Sequence, residues 1–232
     1  MTGRLLVVAT PIGNLEDLSP RARNAFERAD LIACEDTRHT GRLLSRLGIK
    51  KRFVSLHEHN ERQRVPQILA ALARDETVAL ASDAGTPLLS DPGFPLLREA
   101  ISAGVTVEAI PGPSAILAAL VVSGLPPYPF TFAAFPPPKS GKRRAFYRRF
   151  SSLDHTLIVF ESPHRIHASL VDAMAELGDR PAALARELTK LHEEVIRGPL
   201  SHIAAELAER ETLKGELVIV IGAANRREEP KK

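Results

Sequence analysis

Along this chain, short apolar runs alternate with glycine- and proline-bearing turns and with stretches whose apolar positions recur every three or four residues. Residues 4–10 form a near-continuous apolar run, the pattern of a strand covered on both faces. Similar runs predict strands over 31–34, 52–56, 78–81 and 106–110. Between them, Ser19-Pro20 opens a helix to Ala29, a second helix covers 37–47 until Gly48, and a third follows His57-Glu-His-Asn60 to about residue 74. In the second helix Leu43, Leu44 and Leu47 share one face, while Arg38, Arg42 and Arg46 form a basic stripe on another. Strands alternating five times with helices imply a parallel sheet, and the polar turns then fall at the carboxyl ends of the strands, on one edge.

The stretch Val78-Ala-Leu-Ala-Ser-Asp-Ala-Gly-Thr-Pro-Leu-Leu-Ser-Asp-Pro-Gly93 changes character three times. An apolar strand passes into a tight loop in which Gly85 permits backbone angles closed to other residues and Pro87 forbids immediate helix. Ser90 or Asp91 then caps a helix with Pro92 at its first position, running to residue 103 before Gly104. Loops of this kind bind ligands in parallel sheets, although every α/β protein also contains ordinary strand-to-helix connections.

A fifth turn, Pro111-Gly-Pro-Ser-Ala115, leads into a short apolar helix ending at Gly124. Leu125-Pro-Pro-Tyr-Pro129 can continue neither helix nor central strand, so the reading is an N-terminal α/β domain over 1–124, a linker over 125–129, a C-terminal α/β domain over 130–224 and a charged, loose tail over 225–232. In the second domain, strands are expected over 130–135, 155–160, 182–187, 192–197 and 216–221. The short connection between the third and fourth suggests a hairpin and a mixed sheet. A helix opening at Glu161-Ser-Pro163 repeats Ile166, Leu170, Ala173, Met174 and Leu177 at helical spacing, and another covers 200–210.

The 232 residues are 44% hydrophobic, ample for packed cores, and no apolar run approaches the roughly 18 residues of a membrane helix. Met1-Thr-Gly-Arg leads straight into a strand rather than a signal peptide. The single cysteine, Cys34, reads as a small core residue in a reducing cytoplasm. Net charge is only +3, but residues 136–150 carry six positive charges and no acid. No nucleophile elbow, P-loop lysine motif, dinucleotide fingerprint or metal constellation is present. His57 and His59 would share one face of a strand, but spacing suggests no third ligand.

Read together, Thr10-Pro-Ile-Gly-Asn14, Glu35-Asp-Thr-Arg-His39, Ser82-Asp-Ala-Gly-Thr-Pro87, Pro111-Gly-Pro-Ser-Ala115, Glu161-Ser-Pro-His-Arg165 and Ala185-Arg-Glu-Leu-Thr-Lys190 occur in order. As a set, running from about residue 4 to 221, they resemble the ribosomal RNA 2'-O-methylating branch of the tetrapyrrole methylase superfamily. The resemblance implies two α/β domains, a parallel N-terminal sheet and a mixed C-terminal one, with S-adenosyl-L-methionine in the cleft between them. It also implies a homodimer acting on a cytidine ribose in the decoding region of 16S ribosomal RNA within the small subunit. Tetrapyrrole methylases proper usually carry a Gly-x-Gly-x-Gly-Asp first turn, and Pro11-Ile-Gly-Asn14 here disfavours a tetrapyrrole substrate. Some relatives continue into a helical extension past the last strand, whereas this chain ends at Lys232.

By the same resemblance, Pro11 and the turn Ser82, Asp83, Ala84, Gly85 and Thr86 sit at the cofactor. Ser114 and Ala115 give further contacts, and Phe135, Phe160, Ala185 and Gly215 line its pocket from the second domain. Phe135 and Phe160 equally suit core packing. Methyl transfer from a sulfonium is an in-line displacement needing no metal, and a ribose hydroxyl gains from a positioned base. Glu35, Asp36, Glu161 and Glu187 stand at strand ends; Glu35 is taken as the base and Arg38 as the holder of a neighbouring phosphate, although Glu35 or Asp36 equally suits a helix cap. Lys190 could assist instead, if desolvation strips its proton. Arg42 and Arg46, with Lys139, Lys142, Arg143 and Arg144, form the expected RNA-binding set, since phosphates reward clustered cations. With 5% aromatics and no tryptophan, phosphate positioning should outweigh base stacking. Two other readings compete: a tetrapyrrole or protein methylase of the same superfamily, and a non-catalytic RNA- or nucleotide-binding module.

Overall fold

The computed structural model describes residues 3–224 and divides between Ser114 and Ala115 into two units. In the first, strands β1 (Arg4–Val8), β2 (Leu31–Cys34), β3 (Arg52–Ser55), β4 (Thr77–Ala81) and β5 (Thr106–Ile110) pair in parallel in the order β3-β2-β4-β1-β5. Side chains alternate across the pleat. Leu6, Val8, Ile32 and Cys34 pack with Phe26 of α1 (Pro20–Arg28) and Leu44 of α2 (Thr37–Arg46). Leu5, Ala33, Val78 and Leu80 pack instead with Ile68 and Leu72 of α3 (Glu61–Ala73) and Leu96 of α4 (Phe94–Ser102). Both faces are therefore covered, which is why these strands read as unbroken apolar runs; each fully buried Leu, Ile or Phe contributes about 1.5–3 kcal/mol.

The helix starts follow capping chemistry. Ser19 Oγ accepts the Ala22 amide at 3.0 Å ahead of Pro20, and the Asp36 carboxylate accepts the amides of Arg38 and His39 at 2.7 and 3.4 Å. The expected start of α4 at Pro92 is not what forms. Leu88 and Ser90 both take φ of 75°, and the N-cap is Gly93 at φ 115°, where a Cβ would stand 2.9 Å from Leu80 Cδ2. The Gly93 amide is satisfied by Glu61 Oε1 at 2.7 Å, a carboxylate from α3, so the loop stays irregular up to that point and Asp91 is not a cap.

The second unit begins with α5 (Ala115–Ser123), which packs against strands β8 (Pro181–Arg186) and β10 (Leu217–Ile221). The division therefore falls before α5, ahead of the expected linker at 125–129. Its sheet adds β6 (Phe130–Phe132), β7 (Thr156–Glu161) and β9 (Glu194–Pro199) in the order β6-β7-β10-β8-β9. Only β6 and β7 are parallel; β8 and β9 form the expected antiparallel hairpin. Helices α6 (Ser140–Arg148), α7 (Ile166–Leu177) and α8 (Leu200–Ala208) close a core centred on Tyr147, Leu157, Val159, Leu170, Leu184, Ile203 and Ile219. Strand β6 stops short of residue 135 because Ala134 turns the chain at φ 55°. The helix expected from Glu161 starts at Ile166, since Glu161 is still the last, buried residue of β7. The predicted loose tail over 225–232 lies outside the described residues.

Candidate active site

Parallel pairing brings the carboxyl ends of all five strands of the first unit to one edge, and the turns there are laced together. Thr10 and Gly85 exchange backbone hydrogen bonds at 2.9 and 3.0 Å, Thr10 Oγ1 donates to the Ser82 carbonyl at 3.2 Å, and Ser82 Oγ donates to the Gly85 carbonyl at 3.1 Å. Thr86 Oγ1 reaches the Pro113 carbonyl at 3.3 Å, tying in the Pro111–Ser114 turn. Glycines allow this closeness: Gly85 sits at φ 81°, and a Cβ on Gly112 would lie 3.0 Å from Ala9 Cβ. The Asp36 amide donates to Asp83 Oδ1 at 3.2 Å, so the 35–39 turn joins the same lattice. Asp83 thus has the partner that an acid at a strand end requires.

Beside this lattice lies a cavity of about 360 Å³ lined by Glu35, His57, Glu58, His59, Ser90 and Pro92. Two acids, Glu35 and Glu58, line it together with two histidines, and Asp83 and Asp91 are near enough to act on Glu35 or to be acted on by it. Burial, then the Asp83 charge, pushes the Glu35 carboxyl above its ordinary value, against an opposing contribution from His57. Burial, then Glu35 and Asp83, pushes Asp91 up to about 7. Asp91, between the lining residues Ser90 and Pro92, reads from sequence only as a possible helix cap; the available signal for more was an acid closing a glycine- and proline-laden loop. The other candidate bases are occupied. Asp36 is held below the usual carboxylate range by the Arg38 amide and then that of His39, and Glu187 is held down by its hydrogen bond from Lys190. Glu161, fully enclosed, pairs with Arg165 at 2.6 Å. Cys34 is buried and its thiol is pushed up to about 11, chiefly by that burial, so it stays protonated.

In the second unit, register places the turn after β6 and the end of β7 beside the start of β10 and the end of β8, again on one edge. Phe135, half exposed, meets Phe160 with ring centroids 5.3 Å apart. Ala185 is buried in β8, opposite Val218. Gly215 takes φ 102°, and a Cβ there would collide with Glu187 Cγ. Glu187 Oε1 accepts both Lys190 Nζ at 2.8 Å and the Glu216 amide at 2.9 Å. The idea that Lys190 loses its proton fails here: burial alone would lower it, but Glu187 and Glu216 together hold the ammonium above its ordinary value. Pro11 lies half-buried in the first unit's turn, and Ser114 and Ala115 flank the division.

The basic set separates into two kinds. Arg38, Arg42, Arg46, Lys139 and Lys142 are exposed. Arg143 is not: it is buried, with Nε 2.7 Å from Asp172 Oδ2, and so is withdrawn from the RNA-binding set. Arg144 is exposed but shares Glu176 with Arg148, at 2.7 and 2.8 Å. Among the described residues no group of three or more His, Cys, Asp and Glu is arranged to hold a metal ion, and no helix is long and apolar enough to cross a membrane.

The family described as Tetrapyrrole (Corrin/Porphyrin) Methylases matches residues 4–204, which span the parallel sheet and four strands of the mixed one. The chain belongs to this family. It is 49% identical over 222 residues to the ribosomal RNA small subunit methyltransferase I of Mesorhizobium japonicum, covering 95% of this chain and 75% of the relative. To the protein of the same name from Escherichia coli O157:H7 it is 44% identical over 229 residues, covering 98% and 80%. Its branch of the family is therefore that of ribosomal RNA small subunit methyltransferase I. Among solved structures, diphthine synthase superposes with a TM-score of 0.70 at 20% identity, covering 95% of this chain and 90% of that one. Uroporphyrin-III-C-methyltransferase from Thermus thermophilus gives 0.65 at 21%, covering 96% and 95%; both likenesses show the fold.

Proposed function

We propose that this protein methylates ribosomal RNA of the small subunit from S-adenosyl-L-methionine, and that the acceptor is the 2'-hydroxyl of a cytidine ribose in the decoding region. When bound, the donor supplies an electrophilic methyl group on a sulfonium, so the protein's task is alignment and proton removal. The residues present fit such a ligand. Gly85 and Gly112 keep the turns thin enough for close backbone approach, and Asp83, which accepts the Asp36 amide, sets a carboxyl group among them. Pro11, Ser82–Thr86 and Ser114 are donor contacts in this reading, as are Ala115, Phe135, Phe160, Ala185 and Gly215.

Glu35 is the base in this reading. Burial and the Asp83 charge raise its carboxyl above its ordinary value, which favours proton uptake from a hydroxyl, whereas Asp36 and Glu187 are held down by their hydrogen bonds. Arg38, whose side chain is 90% exposed, binds a neighbouring phosphate, with Arg42, Arg46, Lys139 and Lys142 extending the contact. Arg144 contributes less, since Glu176 already neutralises part of its charge. A cytoplasmic location and a homodimer accompany this reading. The observation that carries it is the laced strand-end edge with its raised carboxyls, in a chain 49% identical to a ribosomal RNA methyltransferase. Labelled methyl transfer to purified 30S particles from a strain lacking the enzyme, with mapping of the modified ribose, tests it. Label on a base, on protein or on a corrinoid precursor instead would overturn the assignment.

A further inference from the structure

Three consecutive prolines, Pro136 to Pro138, connect Phe135 to Lys139. Proline has no backbone N–H, so this loop cannot anchor itself through its own amides; only its carbonyls can be held. Two of the three are held by guanidinium groups. Arg165 Nη1 donates to the Pro136 carbonyl at 3.3 Å, and Arg143 Nη1 donates to the Pro138 carbonyl at 3.0 Å.

Each arginine is fixed by an enclosed carboxylate. Arg165 Nη2 lies 2.6 Å from Glu161 Oε1, and its Nε donates to Ser162 Oγ at 3.2 Å. Arg143 Nε lies 2.7 Å from Asp172 Oδ2, whose other oxygen accepts Ser140 Oγ at 3.0 Å. On the near side of the loop, the Phe160 amide donates to the Ala134 carbonyl at 3.0 Å. Burying two ion pairs is a poor route to stability, because desolvation offsets the attraction and apolar residues of similar volume often serve as well. The cost is evident at Glu161, whose Oε2 is buried without a partner among the described residues. What the two pairs supply, and apolar side chains could not, is a directed donor aimed at each end of the proline run.

We propose that Arg165 and Arg143 are positioning residues that clamp the three-proline loop and so hold Phe135 in place for the methyl donor. This rests on the reading that Phe135 contacts the donor. The chain has no tryptophan, so F135W makes a single fluorescent reporter at a half-exposed position. Arg165→Lys and Arg143→Lys keep the charge beside Glu161 and Asp172, preserving the fold, but a point-like ammonium cannot also span to the proline carbonyl. Arg165→Met is the stronger variant if it folds.

In the F135W background, both lysine variants should lower the reporter's fluorescence anisotropy. In the chain with Phe135 retained, they should raise KM for S-adenosyl-L-methionine about tenfold while kcat at saturating donor stays within about twofold. Unchanged anisotropy in both variants overturns the clamp. A loosened reporter with unchanged donor affinity overturns the role toward the donor. If the unsubstituted protein itself takes up no S-adenosyl-L-methionine in calorimetry, the functional reading fails, and the anisotropy comparison still decides the clamp.

Discussion

Replacing Asp91 by Asn probes the acidic edge through stability rather than activity. Burial, then the charges of Glu35 and Asp83, raises this carboxyl from an ordinary 3.8 to about 7. A group that holds its proton more tightly when folded penalises the folded state once it ionises. The penalty is absent below about pH 4, grows as pH rises toward 7 and is complete above about 7. Full enclosure would make it about 4 kcal/mol, but Asp91 is only half-buried, and solvent screening reduces this to about 1–2 kcal/mol. Asn keeps the size of the side chain and cannot ionise. Urea unfolding followed by far-UV circular dichroism should show the variant gaining about 1 kcal/mol more over the parent at pH 8 than at pH 5. Comparing two pH values cancels whatever the amide gains or loses in hydrogen bonding. An equal gain at both, or a larger one at pH 5, would refute the reasoning that this edge holds crowded carboxyls.

Glu35→Gln should lower kcat by about 10²–10⁴ while donor affinity stays within a few fold, and a loss under tenfold would remove Glu35 as the base. Changing Lys139 and Lys142 together to Ala should reduce the salt slope of RNA binding by about 0.7–0.9 for each phosphate no longer neutralised, measured by filter binding across salt concentrations. Arg143→Met should act on the fold instead, lowering unfolding free energy by about 3–5 kcal/mol by leaving Asp172 enclosed and unpaired. Gly215→Ala should destabilise by about 1–3 kcal/mol in urea titration, because residue 215 sits at positive φ and its new Cβ would strike Glu187.

Much of the frame was legible because two-sided burial leaves a direct trace. Val78 to Ala81 and Leu31 to Cys34 are apolar at every position since each neighbour faces a different helix layer. Local caps were equally legible, Ser19 before Pro20 being read from adjacent residues. What escaped depends on partners distant in sequence. The start of α4 is decided by Glu61, which caps Gly93 from another helix. Arg143 reads as one more cation in a basic run until α7 brings Asp172 against it. Lys190 reads as an isolated amine until Glu216, just ahead of β10, and the Glu187 turn close on it. Glu35 stands out in sequence by position alone, but what separates it from Asp36 and Glu187 is the burial and the hydrogen bonds that only folding assembles.

The chain passes from one unit to the other at a single peptide bond, Ser114–Ala115, and each sheet is built from contiguous sequence. A recombination event there would inherit a whole hydrophobic core on either side, with no strand left seeking a neighbour. A chimera joined at that bond should keep both sheets intact, whereas one joined after Gly124 would lay the α5 of one parent on the strands of the other.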